Sequence, residues 1–154
     1  MKRVVLLLTC SLAASGRAQE PQLPTDVELK ASYCVAVTQG IIGMSHGALS
    51  SMKPDDPMYD STAKTTAASE DNLRRLQGYL IPKISHLDAV ALGVAHRRGQ
   101  EDFATAKKAI MTCVDRCMSS PNLAAFTACN TKCRAEIPAI TRTNRCNDVN
   151  WLPF

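Results

Sequence analysis

The sequence predicts an all-α protein, a small bundle of four to five helices ending in a disulfide-stapled helical hairpin. Apolar residues recur at spacings of three and four, with no strand-like alternation of useful length. Two C-x-x-x-C pairs lie close together in "CVDRCMSSPNLAAFTACNTKC", Cys113 to Cys133. The chain also opens on an export signal, which sends its cysteines to an oxidising compartment.

That signal is "MKRVVLLLTCSLAASGRAQ". Lys2 and Arg3 form a positive start, Val4 to Ala14 a short apolar stretch, and small residues follow. Cleavage after Ala18 places Gly16 and Ala18 where small residues are required; cleavage after Gly16 is the alternative. Residues 1–18 are therefore expected to be a signal peptide, and 19–154 a single α-helical, disulfide-stabilised domain. The apolar stretch is about half the roughly 20 residues a spanning helix needs, so the mature form is not expected to span a membrane. "LLT" before Cys10 has a trace of a lipoprotein processing site, but the apolar run ahead of it is too short. The expected location is periplasmic or secreted.

Loss of the signal removes Lys2, Arg3 and Arg17, so the net charge of +4 falls to about +1, from 15 basic and 14 acidic residues. Basic clusters such as "RR" at 74–75 and "HRR" at 96–98 are small, and aromatic residues are only 5% of the chain. Nucleic acid is excluded as a partner on both counts.

After a proline-bearing lead-in, "QEPQLPT", Thr25 or Asp26 offers an N-cap with Glu28 in the first turn. Leu29, Tyr33, Ala36, Val37, Ile41 and Met44 then place a helix over 26–49. Gly40, Gly43 and Gly47 weaken it by up to about 1 kcal/mol each, and mark close packing or a bend. Two prolines and three acids make 50–61 a loop. Leu73, Leu76 and Leu80 stripe the next helix, which Pro82 ends or kinks. Ile84, Leu87, Ala91 and Val94 form a further stripe, and "HRRG" reads as its stop at Gly99. Glu101 and Asp102 open another helix, with Phe103, Ala106, Ile110, Cys113, Val114 and Cys117 on one face. Ser120 as N-cap and Pro121 at the first helical position restart the chain. Leu123, Phe126, Cys129 and Cys133 share the face of that helix until Pro138. The remainder, "TRTNRCNDVNWLPF", reads as irregular. A core of Ala, Leu, Ile and Val poor in aromatics gains from covalent staples.

Cys10 leaves with the signal, and six cysteines remain, an even count for three disulfides. Residues four apart on a helix stack one turn from each other. Antiparallel helices joined across "MSSPNLAAFTA" then set Cys117 opposite Cys129 and Cys113 opposite Cys133, which leaves Cys34 to join Cys146. The twin C-x-x-x-C hairpin resembles disulfide-stapled helical hairpins, among them the small chaperones of the mitochondrial intermembrane space and the plant α-hairpinin peptides. The resemblance covers residues 113–133 and implies the same nested pairing. The export signal and alanine-rich helices point to a small protein of a bacterial envelope.

Other chemistries fit less well. Four-thiolate zinc sites favour short knuckles and reduced thiols; a redox site wants C-x-x-C at a helix start; the C-x-x-C-H haem signature is absent from the sequence. His46, His86 and His96 belong to no H-E-x-x-H pair. Met44, His46 and Met52, with Met58 beyond them, combine thioether and imidazole and form a copper-binding alternative. Asp55, Asp56 and Asp60 lack the glycine and distal glutamate of an EF-hand, and there is no G-x-S-x-G or phosphate-binding glycine loop. The expectation is a non-catalytic exported binding or interaction module without a cofactor, its partner another protein of the envelope. Periplasmic copper handling is the alternative.

Overall fold

The computed structural model describes residues 20–153, so the signal segment and its cleavage points lie outside the described residues. Five helices follow in order: α1 (Asp26–Ser51), α2 (Tyr59–Leu80), α3 (Ala89–Cys117), α4 (Leu123–Ala135) and α5 (Pro138–Asn144). The described residues form no sheet; one isolated bridge, Gln22 with Leu87, ties the lead-in to the α2–α3 connection. No described helix is long and apolar enough to cross a membrane.

α1 begins with a capping box. Thr25 Oγ1 accepts from the Glu28 N–H at 3.3 Å, and the Glu28 carboxylate takes the Thr25 N–H at 2.8 Å. The loop after α1 is shorter than the sequence reading gave it. α1 runs on to Ser51, and α2 starts at Tyr59, because Asp56 itself accepts the Met58 N–H at 2.8 Å and sets the restart. α2 ends ahead of Pro82, as proline geometry requires.

The largest correction concerns Gly99. "HRRG" does not stop a helix: α3 is continuous over 29 residues. No described glycine has a positive φ, so Gly99 stays helical and serves packing instead. A Cβ there would strike the Tyr33 carbonyl oxygen and come within 3.0 Å of Ala36 Cβ. Gly40 plays the reciprocal part in α1, since its bare backbone accepts the Phe103 ring. Gly43 and Gly47 face open space. Ser32 Oγ donates to the Leu92 carbonyl at 2.9 Å, so partners rise together in number along α1 and α3, and the two helices run parallel. The stripe expected before Gly99 also shifts. Asp88 caps α3 by accepting from Val90 and Ala91, which leaves Ile84 outside the helix and Val94 56% exposed, with Leu87 and Leu92 buried.

At the hairpin, Asn122 rather than Ser120 is the N-cap, accepting the Ala125 N–H at 2.9 Å. Both types cap well; the Ser120 N–H is bonded to the Cys117 carbonyl in the turn, so the helix starts two residues later. Leu123 lies off the expected face, 79% exposed. Part of the tail read as irregular is α5, with Pro138 at its first turn.

The disulfides join Cys113 to Cys133 and Cys117 to Cys129, with Cα atoms 5.7 and 5.8 Å apart, and Cys34 to Cys146 at 5.2 Å. The first two make the hairpin a two-rung ladder. The third brings the tail into the core. Cys146, Val149 and Leu152 pack with Ala31, Cys34 and Val37 of α1 and Leu76, Tyr79 and Leu80 of α2. A smaller cluster, Ala106 with Ala139 and Ile140, seats α5 on α3. Three disulfides belong to an oxidising environment.

Candidate functional site

A groove of about 560 Å³ runs between α1 and the first half of α3 and ends at α5. α1 contributes Leu29, Lys30, Tyr33 and Cys34, residues spaced to fall on one side of the helix. α3 contributes Ala91, Val94, Ala95, Arg98 and Asp102 by the same periodicity, and Arg142 and Arg145 close the far end. Ala91 and Ala95 keep the trough open because their side chains are short. The Cys34–Cys146 bridge fixes its end, holding Arg145 next in sequence to a residue bonded to α1.

Asp102 organises the closed end. Its Oδ2 accepts from the Tyr33 hydroxyl at 2.9 Å and from Arg142 Nε at 2.8 Å, and its Oδ1 from Arg142 Nη2 at 2.5 Å. The Arg142 fork holds the Asp102 carboxyl below its ordinary value. Burial, then the bond to Asp102, pushes the Tyr33 phenol up to about 12. At neutral pH the carboxylate is therefore charged, and the phenol is neutral.

Charge in the groove is uneven. Lys30, Arg98, Arg142 and Arg145 line it against the single carboxylate of Asp102, a net of +3. Arg142 is engaged by Asp102, and Lys30 Nζ lies 3.9 Å over the Trp151 ring. Arg98 and Arg145 make no ion pair among the described residues.

Compared with known proteins, the chain matches no family model, no curated protein and no solved structure. Its groove is thus read from its own residues.

Of the residues singled out in the sequence, the six cysteines are consumed pairwise as disulfides, which removes them as thiolate ligands. Met44 and His46 are two positions apart on α1, about 200° around the axis, and so face opposite sides; Met52 stands at the C-cap. His46 Nε2 is instead 2.9 Å from Glu70 Oε1. No group of three or more His, Cys, Asp or Glu able to hold a metal occurs among the described residues. The groove residues Tyr33, Asp102, Arg142 and Arg145 were missed in the sequence. The sequence placed Tyr33 on an apolar stripe, Asp102 at a helix start and Arg98 in the minor basic cluster "HRR", with no site role for any of them.

The Asp102 network gives a pH signature. A carboxyl with a depressed folded-state value contributes stability that is present above about pH 4, the ordinary unfolded value, and lost as pH falls through the folded one. Glu28, lowered chiefly by the Thr25 N–H, acts in the same window. Tyr33 has the opposite sign: its share is full below about pH 10 and lost as pH rises toward about 12. In urea unfolding followed by circular dichroism, Asp102→Asn should be less stable than wild type at pH 7, the gap narrowing below pH 4. A gap unchanged from pH 7 to pH 2 would show that the carboxylate charge contributes nothing.

Proposed function

We propose that the protein is a non-catalytic exported binding module that holds its partner in the α1–α3–α5 groove. One observation carries this reading: the groove sets apolar walls beside an excess of cations, two of which, Arg98 and Arg145, form no ion pair among the described residues. Arginines in excess around a concave apolar surface favour an incoming anion. The polar groups at the groove's end support binding over chemistry. Asp102 has three hydrogen bonds to its oxygens and a lowered proton affinity, which makes it a poor base, and the Tyr33 hydroxyl already donates to it. The protein partner in an envelope expected from the sequence is one candidate occupant of the groove, and a small molecule is the other.

Non-denaturing mass spectrometry of the chain recovered from its producing cells tests this. The wild type should carry a co-purifying species, protein or small molecule, that Val94→Asp loses. Val94 is more than half exposed, so the substitution alters the groove wall and not the core. A species retained in full by Val94→Asp, or no species at all, would refute the groove as the binding site.

A further inference from the structure

We infer that the groove takes an anionic single-chain amphiphile, its aliphatic chain along Leu29, Ala91 and Val94 and its carboxylate or phosphate head at Arg98 and Arg145. This rests on the groove's being the binding site and names what fills it.

Size, wall chemistry and charge point the same way. A volume of about 560 Å³ falls within the roughly 300–1,000 Å³ of small-molecule sites. Only 11 residues line it, against about 20–30 on each side of a stable protein interface. The walls are helical throughout, so their backbone N–H and C=O groups are already bonded within the helices. An extended peptide laid there would leave its amides unpaired, which is costly where water is excluded. An alkyl chain has no such groups. The apolar track also leads outward: Val90, one turn before Val94 on the same side of α3, is 75% exposed. A chain longer than the groove would continue over it. At the other end the guanidinium groups of Arg98 and Arg145 match the planar donors that carboxylates and phosphates accept. A cationic or zwitterionic head would meet a net charge of +3.

Calorimetric titration of the full disulfide-bonded mature chain with laurate at pH 7, below its micellar concentration, should give saturable one-site binding. Octanoate should bind more weakly, by up to about fourfold for each methylene removed. Dodecyltrimethylammonium should bind at least tenfold more weakly than laurate. Dodecyl phosphate run in parallel tells which head group is preferred. The double variant Arg98→Ala/Arg145→Ala, both positions exposed, should weaken laurate at least tenfold with an unchanged melting temperature, and Val94→Asp should abolish binding. Absent laurate and dodecyl phosphate binding, equal affinity for the cationic detergent, or binding indifferent to chain length would overturn the ligand class. In each case the groove reading stands if Val94→Asp still removes the co-purifying species. Amphiphile binding that survives both variants would place the ligand elsewhere and overturn the inference.

Discussion

Replacing Cys34 and Cys146 together by alanine is expected to lower the unfolding free energy by about 4–5 kcal/mol, the largest loss among the three disulfides. The two cysteines are 112 residues apart, and in the chain-entropy account a cross-link over roughly 100 residues is worth about 4.7 kcal/mol. The hairpin bridges span 20 and 12 residues and are worth about 3 kcal/mol each on the same account. Position adds to length. Cys34 and Cys146 are 1% and 2% exposed, inside the cluster where Val149 and Leu152 cover α1 and α2, so the alanines also leave a small void. Typical domains hold about 5–15 kcal/mol in total, and the melting temperature should drop by roughly 15–25 °C. Thermal unfolding under non-reducing conditions, beside the Cys117/Cys129 double alanine variant, is the measurement. A loss no greater than that of the hairpin pair would mean that the tail is held by its apolar contacts alone.

Gly99→Ala is expected to destabilise by about 1–3 kcal/mol, the usual cost of overpacking, although helix propensity alone favours alanine by up to about 1 kcal/mol. The two terms can be separated within this protein. At Gly99 an added methyl meets the Tyr33 carbonyl, a backbone atom that cannot swing aside as a side chain does. α1 and α3 must then separate, and Tyr33 moves relative to Asp102. At Gly43 the same methyl meets nothing, so Gly43→Ala should be neutral to stabilising. Urea unfolding of the two variants reads opposite signs. Equal stabilisation by both would mean that the helices part without cost and that close approach at Gly99 is not needed.

Much of this fold is legible locally. Thr25 and Glu28 are three apart and announce the start of α1, Pro82 announces the end of α2, and the C-x-x-x-C spacing alone sets the hairpin rungs. What escapes depends on distant partners. A glycine after "HRR" looks the same whether it ends a helix or lets another helix approach; only Tyr33, 66 positions earlier, distinguishes the two. Propensity favoured the stop, and packing overrode it. Ser120 and Asn122 compete for one cap, and the turn decides between them. The groove is less legible still. Its residues come from α1, from α3 and from the stretch around α5, and no short sequence window spans all three.

The bridge that unites the first helix with the tail also imposes an order of events. A chain made from its N-terminus at about 5–20 residues per second presents Cys34 roughly 6–20 s before Cys146, given their separation of 112. Cys113 and Cys117 emerge within that interval, each able to capture the waiting thiol. Cys34 therefore has to stay reduced or be released from a wrong partner by thiol–disulfide exchange. Oxidation of the reduced chain is expected to depend on thiol–disulfide exchange, and without reshuffling to favour chains whose first helix is bonded to the C-terminal end of α3.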